Sequence, residues 1–291
     1  MLRYPVDEFA IESEKNNWID DMNKYNLIVV PILNNDELLK TQKALWTHMG
    51  PKVTEDYKTW ETENWPQPDH PFLSGKYAVD EQAFRNRVHP NLIEVFERLH
   101  GTNNLLTTID HYGVKRGTMF ETGERKDWRC KPLKLHWDVN PAIYTIDQKH
   151  RQTRYQALIA LNDNNQNVGS FACVPGSANG LSDWIEKYKE ADNKKYVPNG
   201  NPLQFQIQRI PLKAGHAVIW DMGVAHANFS NYSNEPRLAQ YVRMLPNTEW
   251  AIEKEDQSIT KYWQQNPILK ASIGKLKWSN REKQILGLKK Y

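Results

Sequence analysis

The chain reads as mainly β with flanking helices, an α+β architecture whose β part is a sandwich or barrel. Three observations lead there. From residue 104 onward the sequence breaks into short apolar runs, at 104–112, 133–138, 155–161, 170–174, 204–210, 216–220, 223–228 and 237–245. Turn signals, rather than helical stretches, separate most of these runs, which disfavours a doubly wound parallel sheet. Helical patterns collect instead at the two ends, before residue 104 and after residue 250.

The elements follow in order. Leu27-Ile28-Val29-Val30-Pro31-Ile32 is a short buried strand ended by proline. Asn34 or Asn35 caps the next helix, whose first turn carries Asp36 and Glu37 as the helix dipole favours, with Leu38, Leu45 and Trp46 as its apolar stripe. The Trp/Pro-rich stretch from Trp60 to Phe72 has no periodicity and is expected as a structured loop, with 57–75 a candidate pocket wall. Helical segments fit 80–88 and 90–100, the second stopped by Gly101. Tyr155–Leu161 is the strongest strand, Val174-Pro175-Gly176-Ser177 forms a tight turn, and Leu181–Ala191 is a helix inserted between strands. One domain is expected: an N-terminal strand and helices over 1–103, a β core over 104–245, and a basic helical appendage over 246–291.

Composition sets bounds. With 291 residues, 39% hydrophobic and 25% charged, the chain is an ordinary globular protein. No apolar run approaches the ~20 residues of a membrane span, and the N-terminus lacks an apolar signal core, so a cytoplasmic protein without membrane contact is expected. Cys130 and Cys173 do not make a disulfide framework, and Cys173 reads as buried packing. The net charge of +3 makes a nucleic-acid partner unnecessary, although residues 113–134 carry +4 and Lys270–Tyr291 carries +6. A solvated basic surface accounts for both, and recruitment of an anionic small molecule is the functional alternative.

The candidate chemistry centres on His136 and Asp138. On a strand, side chains i and i+2 share a face, so imidazole and carboxylate stand side by side; on a helix they diverge by about 200°. His226, on a second strand, would complete a two-histidine, one-carboxylate set of the kind that holds Fe(II) and leaves coordination positions open. Taken alone, a histidine two residues before an aspartate is a weak signal, and His226 alone is more simply a core histidine. Arg237, opening the run 237–242, adds a cation that needs an anion if it faces a pocket. Trp137 points to the opposite face and is core packing. His111, Tyr112 and Trp128 precede the iron strand and are candidates for approaching the substrate.

These stretches, with Leu158-Ile159-Ala160-Leu161-Asn162-Asp163, Val168-Gly169-Ser170-Phe171 and Leu212–Asp221 in this order, resemble the phytanoyl-CoA dioxygenase-like family of Fe(II)/2-oxoglutarate oxygenases from Leu27 to about residue 245. The resemblance implies a double-stranded β-helix, or jelly-roll, core. It implies Fe(II) held by His136, Asp138 and His226, with 2-oxoglutarate and O₂ as co-substrates and Arg237 on the distal carboxylate of 2-oxoglutarate. It also implies hydroxylation of an unactivated C–H bond in a small molecule, with release of succinate and CO₂. Asp138 stands where related halogenases carry a small residue, which points to a hydroxylase. Two positions depart from the family pattern: Asn228 replaces a hydroxyl residue, and Val168 replaces a glycine. Gln156 and Leu158, alternating on one strand, are further candidates for lining the co-substrate pocket. Neutral imidazoles are needed for metal binding, so affinity is expected to fall below about pH 6. Two alternatives remain: another metalloenzyme on this architecture without 2-oxoglutarate, and a jelly-roll module that binds metal or ligand without catalysis.

Overall fold

The computed structural model describes residues 7–66, 73–128, 134–146, 154–165, 167–188, 195–254 and 258–291. The chain opens with α1 (Trp18–Tyr25), β1 (Leu27–Pro31), α2 (Asn35–Met49), α3 (Glu81–Arg87) and α4 (Pro90–His100). The β region follows: β2 (Leu105–Thr107), β3 (Tyr112–Lys115), β4 (Met119–Phe120), β5 (Gly123–Glu124), α5 (Pro141–Ile146), β6 (Tyr155–Ala160) and β7 (Phe171–Cys173). It continues through α6 (Leu181–Lys187), β8 (Gln208–Arg209), β9 (His216–Asp221), β10 (His226–Asn228), β11 (Arg237–Val242) and β12 (Met244–Pro246). Four helices end the chain: α7 (Glu249–Lys254), α8 (Ile259–Gln265), α9 (Pro267–Gly274) and α10 (Asn280–Ile285).

Two antiparallel sheets make the core. The larger runs β1-β9-β6-β11-β3 and the smaller β10-β7-β8. Period-two alternation sorts the side chains into layers. Leu27 and Val29 of β1, Leu158 and Ala160 of β6, Val218 and Trp220 of β9, and Ala239 of β11 meet Phe171 and Cys173 of β7 in an inner cluster. The alternate residues, Ile28, Val30, Ala157, Ile159, Ala217, Ile219, Leu238 and Val242, face outward into a second cluster shared with the helices. The outer face of the small sheet, with Ala172 and Ala227, packs on Leu135, Trp137, Tyr144 and Leu181. This is the sandwich that the strand pattern suggested, in the two-sheet jelly-roll form that the resemblance implies.

Local signals explain the helices. Asn34 caps α2 through a reciprocal capping box with Glu37, and Gly101 ends α4 in the left-handed region. Gly169 is held at φ +80°, where an added Cβ would come within 2.7 Å of the Phe229 carbonyl, so the turn beside Val168 requires glycine.

Several expectations change. The run 104–112 divides into β2 and the start of β3, 237–245 breaks at Arg243, and the first half of 204–207 belongs to a 3-10 turn over Pro202–Phe205. Helices α1 and α5 were not legible as such. The tail is no appendage: Ile259, Trp263, Ile273, Trp278, Ile285 and Leu286 are buried in the same cluster as the N-terminal helices. Trp60 and Trp65 are core residues, with Trp60 stacked on Trp46 at 6.0 Å, so the described part of the Trp/Pro stretch supports the core. Part of the basic run 113–134 is internal as well. Lys115 and Arg116 are buried, the Arg116 guanidinium lies over Trp65 and Trp128, and Arg125 pairs with Glu61 and Asp127. Cys173 is buried as expected, while Cys130 and residues 189–191 of the expected inserted helix lie outside the described residues.

Candidate metal centre and anion site

His136 does not belong to a continuous strand. It makes a single antiparallel bridge to His226 on one side and to Tyr196 on the other. The expected alternation survives this local difference. Leu135 and Trp137 are buried on one face, and Trp137 donates through Nε1 to the Gly223 carbonyl at 3.0 Å, confirming it as packing. His136 and Asp138 project from the other face. Backbone bonds of 3.0 and 2.9 Å exchanged between His136 and His226 place their rings 4.6 Å apart.

The approach to His226 is fixed by the turn after β9. Buried Asp221 accepts from the Tyr144 hydroxyl and the Gly223 backbone N–H, each at 2.7 Å, and pairs with Arg154. Packing against Phe171 and Trp220 then holds the His226 ring in place.

Ligand atoms of His136, Asp138 and His226 all lie within 4.8 Å of one another, close enough to hold one metal ion. Both imidazoles are pre-oriented for that role. Nδ1 of His136 meets the Lys134 carbonyl at 2.7 Å, and Nδ1 of His226 meets the Val224 carbonyl at 3.1 Å. A carbonyl only accepts, so each Nδ1 carries the proton, and in a neutral ring Nε2 presents its lone pair. Each Nε2 stands 3.5 Å from an Asp138 oxygen. Burial works against charge on Asp138, but the two imidazoles outweigh it and hold the carboxyl well below its usual range. Burial likewise opposes charge on His226, and Asp138 overcomes it, raising the imidazole above its ordinary value.

Deeper in the sandwich, Arg237 is 2% exposed on the inner face of β11. Its Nε donates to Asn164 Oδ1 at 2.9 Å and its Nη1 to Asn228 Oδ1 at 2.8 Å. Because guanidinium has no acceptor, the Asn228 amide must turn its oxygen toward Arg237, leaving its NH₂ as a donor on the other side. Lys115, also buried, is the Cα partner of Arg237 across β3 and β11, and its Nζ donates to the Phe229 carbonyl. Tyr241, two pleats along from Arg237 on the same face, has a phenol raised by burial; the neighbouring Arg237 opposes that rise and Asp138 adds to it. Tyr241 therefore sits within electrostatic reach of both ends of the site.

Gln156 lies on the inner face of β6, and its Nε2 donates to Asp138 Oδ2 at 2.9 Å. Leu158 is fully buried in the inner cluster. Tyr112 points outward with its hydroxyl on Asp80, and Trp128 is buried in the outer cluster, so neither approaches the metal donors. His111 packs at a tilt against Tyr77, with ring centroids 4.7 Å apart.

Asn164, Lys115 and Tyr241 were missed from the sequence. Tyr241 could have been found, because it is four residues from Arg237 on one strand. Asn164 lies in a polar Asn-Asp-Asn-Asn turn with no periodicity, and Lys115 was counted among surface charges.

The family model of phytanoyl-CoA dioxygenase (PhyH) matches residues 78–239. The "Ava biosynthesis cluster protein O" of Aspergillus versicolor is 23% identical over 230 residues, covering 72% of this chain and 70% of that protein. Among solved structures, the epimerase SnoN in complex with Fe3+, alpha ketoglutarate and nogalamycin RO superposes with a TM-score of 0.54 at 19% identity, over 80% of this chain and 84% of SnoN. EctD from S. alaskensis with 2-oxoglutarate and 5-hydroxyectoine gives 0.52 at 16% identity, over 82% and 78% of the two chains. Since the family match spans more than half of the sequence and contains the histidines, Asp138 and Arg237, the chain belongs to the phytanoyl-CoA dioxygenase family.

Proposed function

We propose that this protein is an Fe(II)- and 2-oxoglutarate-dependent dioxygenase that hydroxylates an unactivated C–H bond of a small molecule. The observation that carries the reading is the convergence of His136, Asp138 and His226 within 4.8 Å, with both Nδ1 atoms engaged by carbonyls. Two neutral nitrogens and one carboxylate suit a ferrous ion and leave positions for a 2-oxo acid and O₂. When bound, that ion supplies oxidative chemistry: 2-oxoglutarate loses CO₂ to become succinate, and one oxygen atom of O₂ is left for the substrate.

The protein's own groups then bind and orient. Arg237 would take the distal carboxylate of 2-oxoglutarate, its guanidinium held by Asn164 and Asn228. The NH₂ of Asn228 supplies the donor that a hydroxyl residue provides in relatives. Leu158 keeps the inner cluster beside Gln156 apolar. The chain acts as one unit in this reading, since the terminal helices share a core with the sheet.

For the substrate, the proposal is a small molecule. An anionic one would rely on exposed lysines of the tail, because Lys115, Arg116 and Arg125 are engaged within the protein; a rise in substrate KM with salt tests that point. Among the described residues no helix is long and apolar enough to cross a membrane.

A second outcome comes from a neighbour: SnoN is an epimerase. Hydrogen removal without oxygen insertion would use the same donors. Incubating the protein with Fe(II), 2-oxoglutarate and candidate metabolites, then following succinate release and product mass, separates the readings. A product heavier by one oxygen supports hydroxylation, an unchanged mass with inverted stereochemistry supports epimerisation, and no succinate under any condition refutes both.

A further inference from the structure

The three candidate metal donors are not equally held. His136 and His226 are tied by mutual backbone bonds and by Nδ1 to a carbonyl. Asp138 lies in a bend outside any ladder, with its side chain 42% exposed. A carboxylate so placed would rotate if nothing held it, and freezing it on metal binding would cost entropy. The hydrogen bond to Asp138 from the five-stranded sheet comes from Gln156, at 2.9 Å.

We propose that Gln156 is a positioning residue for Asp138, fixing the carboxylate toward the two histidines before the metal arrives. An ionised carboxylate only accepts, so the amide must present its NH₂ to Oδ2. With Oδ2 so held 3.5 Å from His226 Nε2, Oδ1 lies 3.5 Å from His136 Nε2, and the carboxylate presents one oxygen to each imidazole. The Gln156 stem is braced in turn. Its Cα partner across β6 and β9 is Trp220, a buried indole that packs on Phe171. Residues bonded to metal ligands commonly set affinity in this way, and losing one typically costs about 10–100-fold. Gln156 thus acts through Asp138, a different role from contacting 2-oxoglutarate.

The inference rests on the metal-centre reading above, so the test separates the two. Co(II) affinity is measured by anaerobic titration for the wild-type chain, Gln156→Met, Asp138→Ala and the double variant, with Co(II) absorption as a second readout. Methionine keeps the length and removes the donor; Gln156→Thr, which suits a strand and cannot reach Asp138, replaces it if the methionine variant does not fold. The expected result is at least 10-fold weaker Co(II) binding and an altered Co(II) spectrum for Gln156→Met, with no further loss when the same change is added to Asp138→Ala. Wild-type affinity in Gln156→Met, an equal loss in the Asp138→Ala background, or weakening of 2-oxoglutarate binding alone would each overturn the role. Absence of Co(II) binding by the wild-type chain would instead remove the metal centre, and the inference with it.

Discussion

The exposed and the buried end of the candidate site solve opposite problems. At the mouth, His136, Asp138 and His226 cluster with Asp138 half-open to solvent; at the base, Arg237 is closed off and gripped by two asparagine oxygens. A metal site needs deprotonated donors with open coordination positions, so partial exposure is useful there. A buried cation without preset partners would be expensive, so the base carries a built polar cradle. The contrast predicts that damage at the mouth abolishes chemistry, while damage at the base chiefly raises the requirement for 2-oxoglutarate.

The largest effect is expected from Asp138→Ala or His226→Ala. Loss of a ligand should lower succinate release by more than about 100-fold, since changing a mere outer partner already costs about 10–100-fold. Retained turnover in either variant would break the distinction. Arg237→Ala should raise the KM for 2-oxoglutarate by about 10–100-fold, the value of a hydrogen-bonded charge, with a smaller effect on turnover at saturation. Asn164→Ala removes one arm of the cradle and should cost about 5-fold in the same KM. Equal loss of turnover at saturating 2-oxoglutarate would show that the two ends are not separate.

Proton competition belongs to the mouth alone. A metal must displace the proton that Asp138 stabilises on His226, whose pKa is raised. Metal affinity is therefore complete above that raised value and falls as pH drops through it, beginning at a higher pH than for an ordinary histidine. Co(II) titrations across pH 5–8 check it, and a flat profile would contradict it. A smaller effect lies outside the site. Burial drives the His100 imidazole down to about 4 while it bonds the Met244 carbonyl. The folded state keeps it neutral, and the unfolded chain protonates near 6.5, the ordinary value for histidine. Stability should accordingly decline as pH falls from about 6.5 to 4, by up to about 3 kcal/mol, and His100→Gln should flatten that decline in denaturant melts.

Legibility in the sequence followed the range of each interaction. Asp138 and His136 were readable because i, i+2 alternation is local, and it persisted although the segment is a bridged bend. The β6, β9 and β11 strands were readable from apolar alternation with turn residues between them. Register was not. That Lys115 faces Arg237, or that Gln156 reaches Asp138, depends on which strands pair, and the order β1-β9-β6-β11-β3 is set by long-range packing. The tail misled for another reason: its lysines advertise solvent, whereas Trp263, Trp278 and Ile285 are spaced too irregularly to reveal the buried side.

The most direct test is a crystal structure of the protein loaded anaerobically with Fe(II) and 2-oxoglutarate, with anomalous scattering recorded at the iron edge. The account predicts one iron peak bound by Nε2 of His136 and His226 and by the Asp138 carboxylate, and a 2-oxoglutarate carboxylate on Arg237. Iron bound elsewhere, or 2-oxoglutarate ordered away from Arg237, would contradict it.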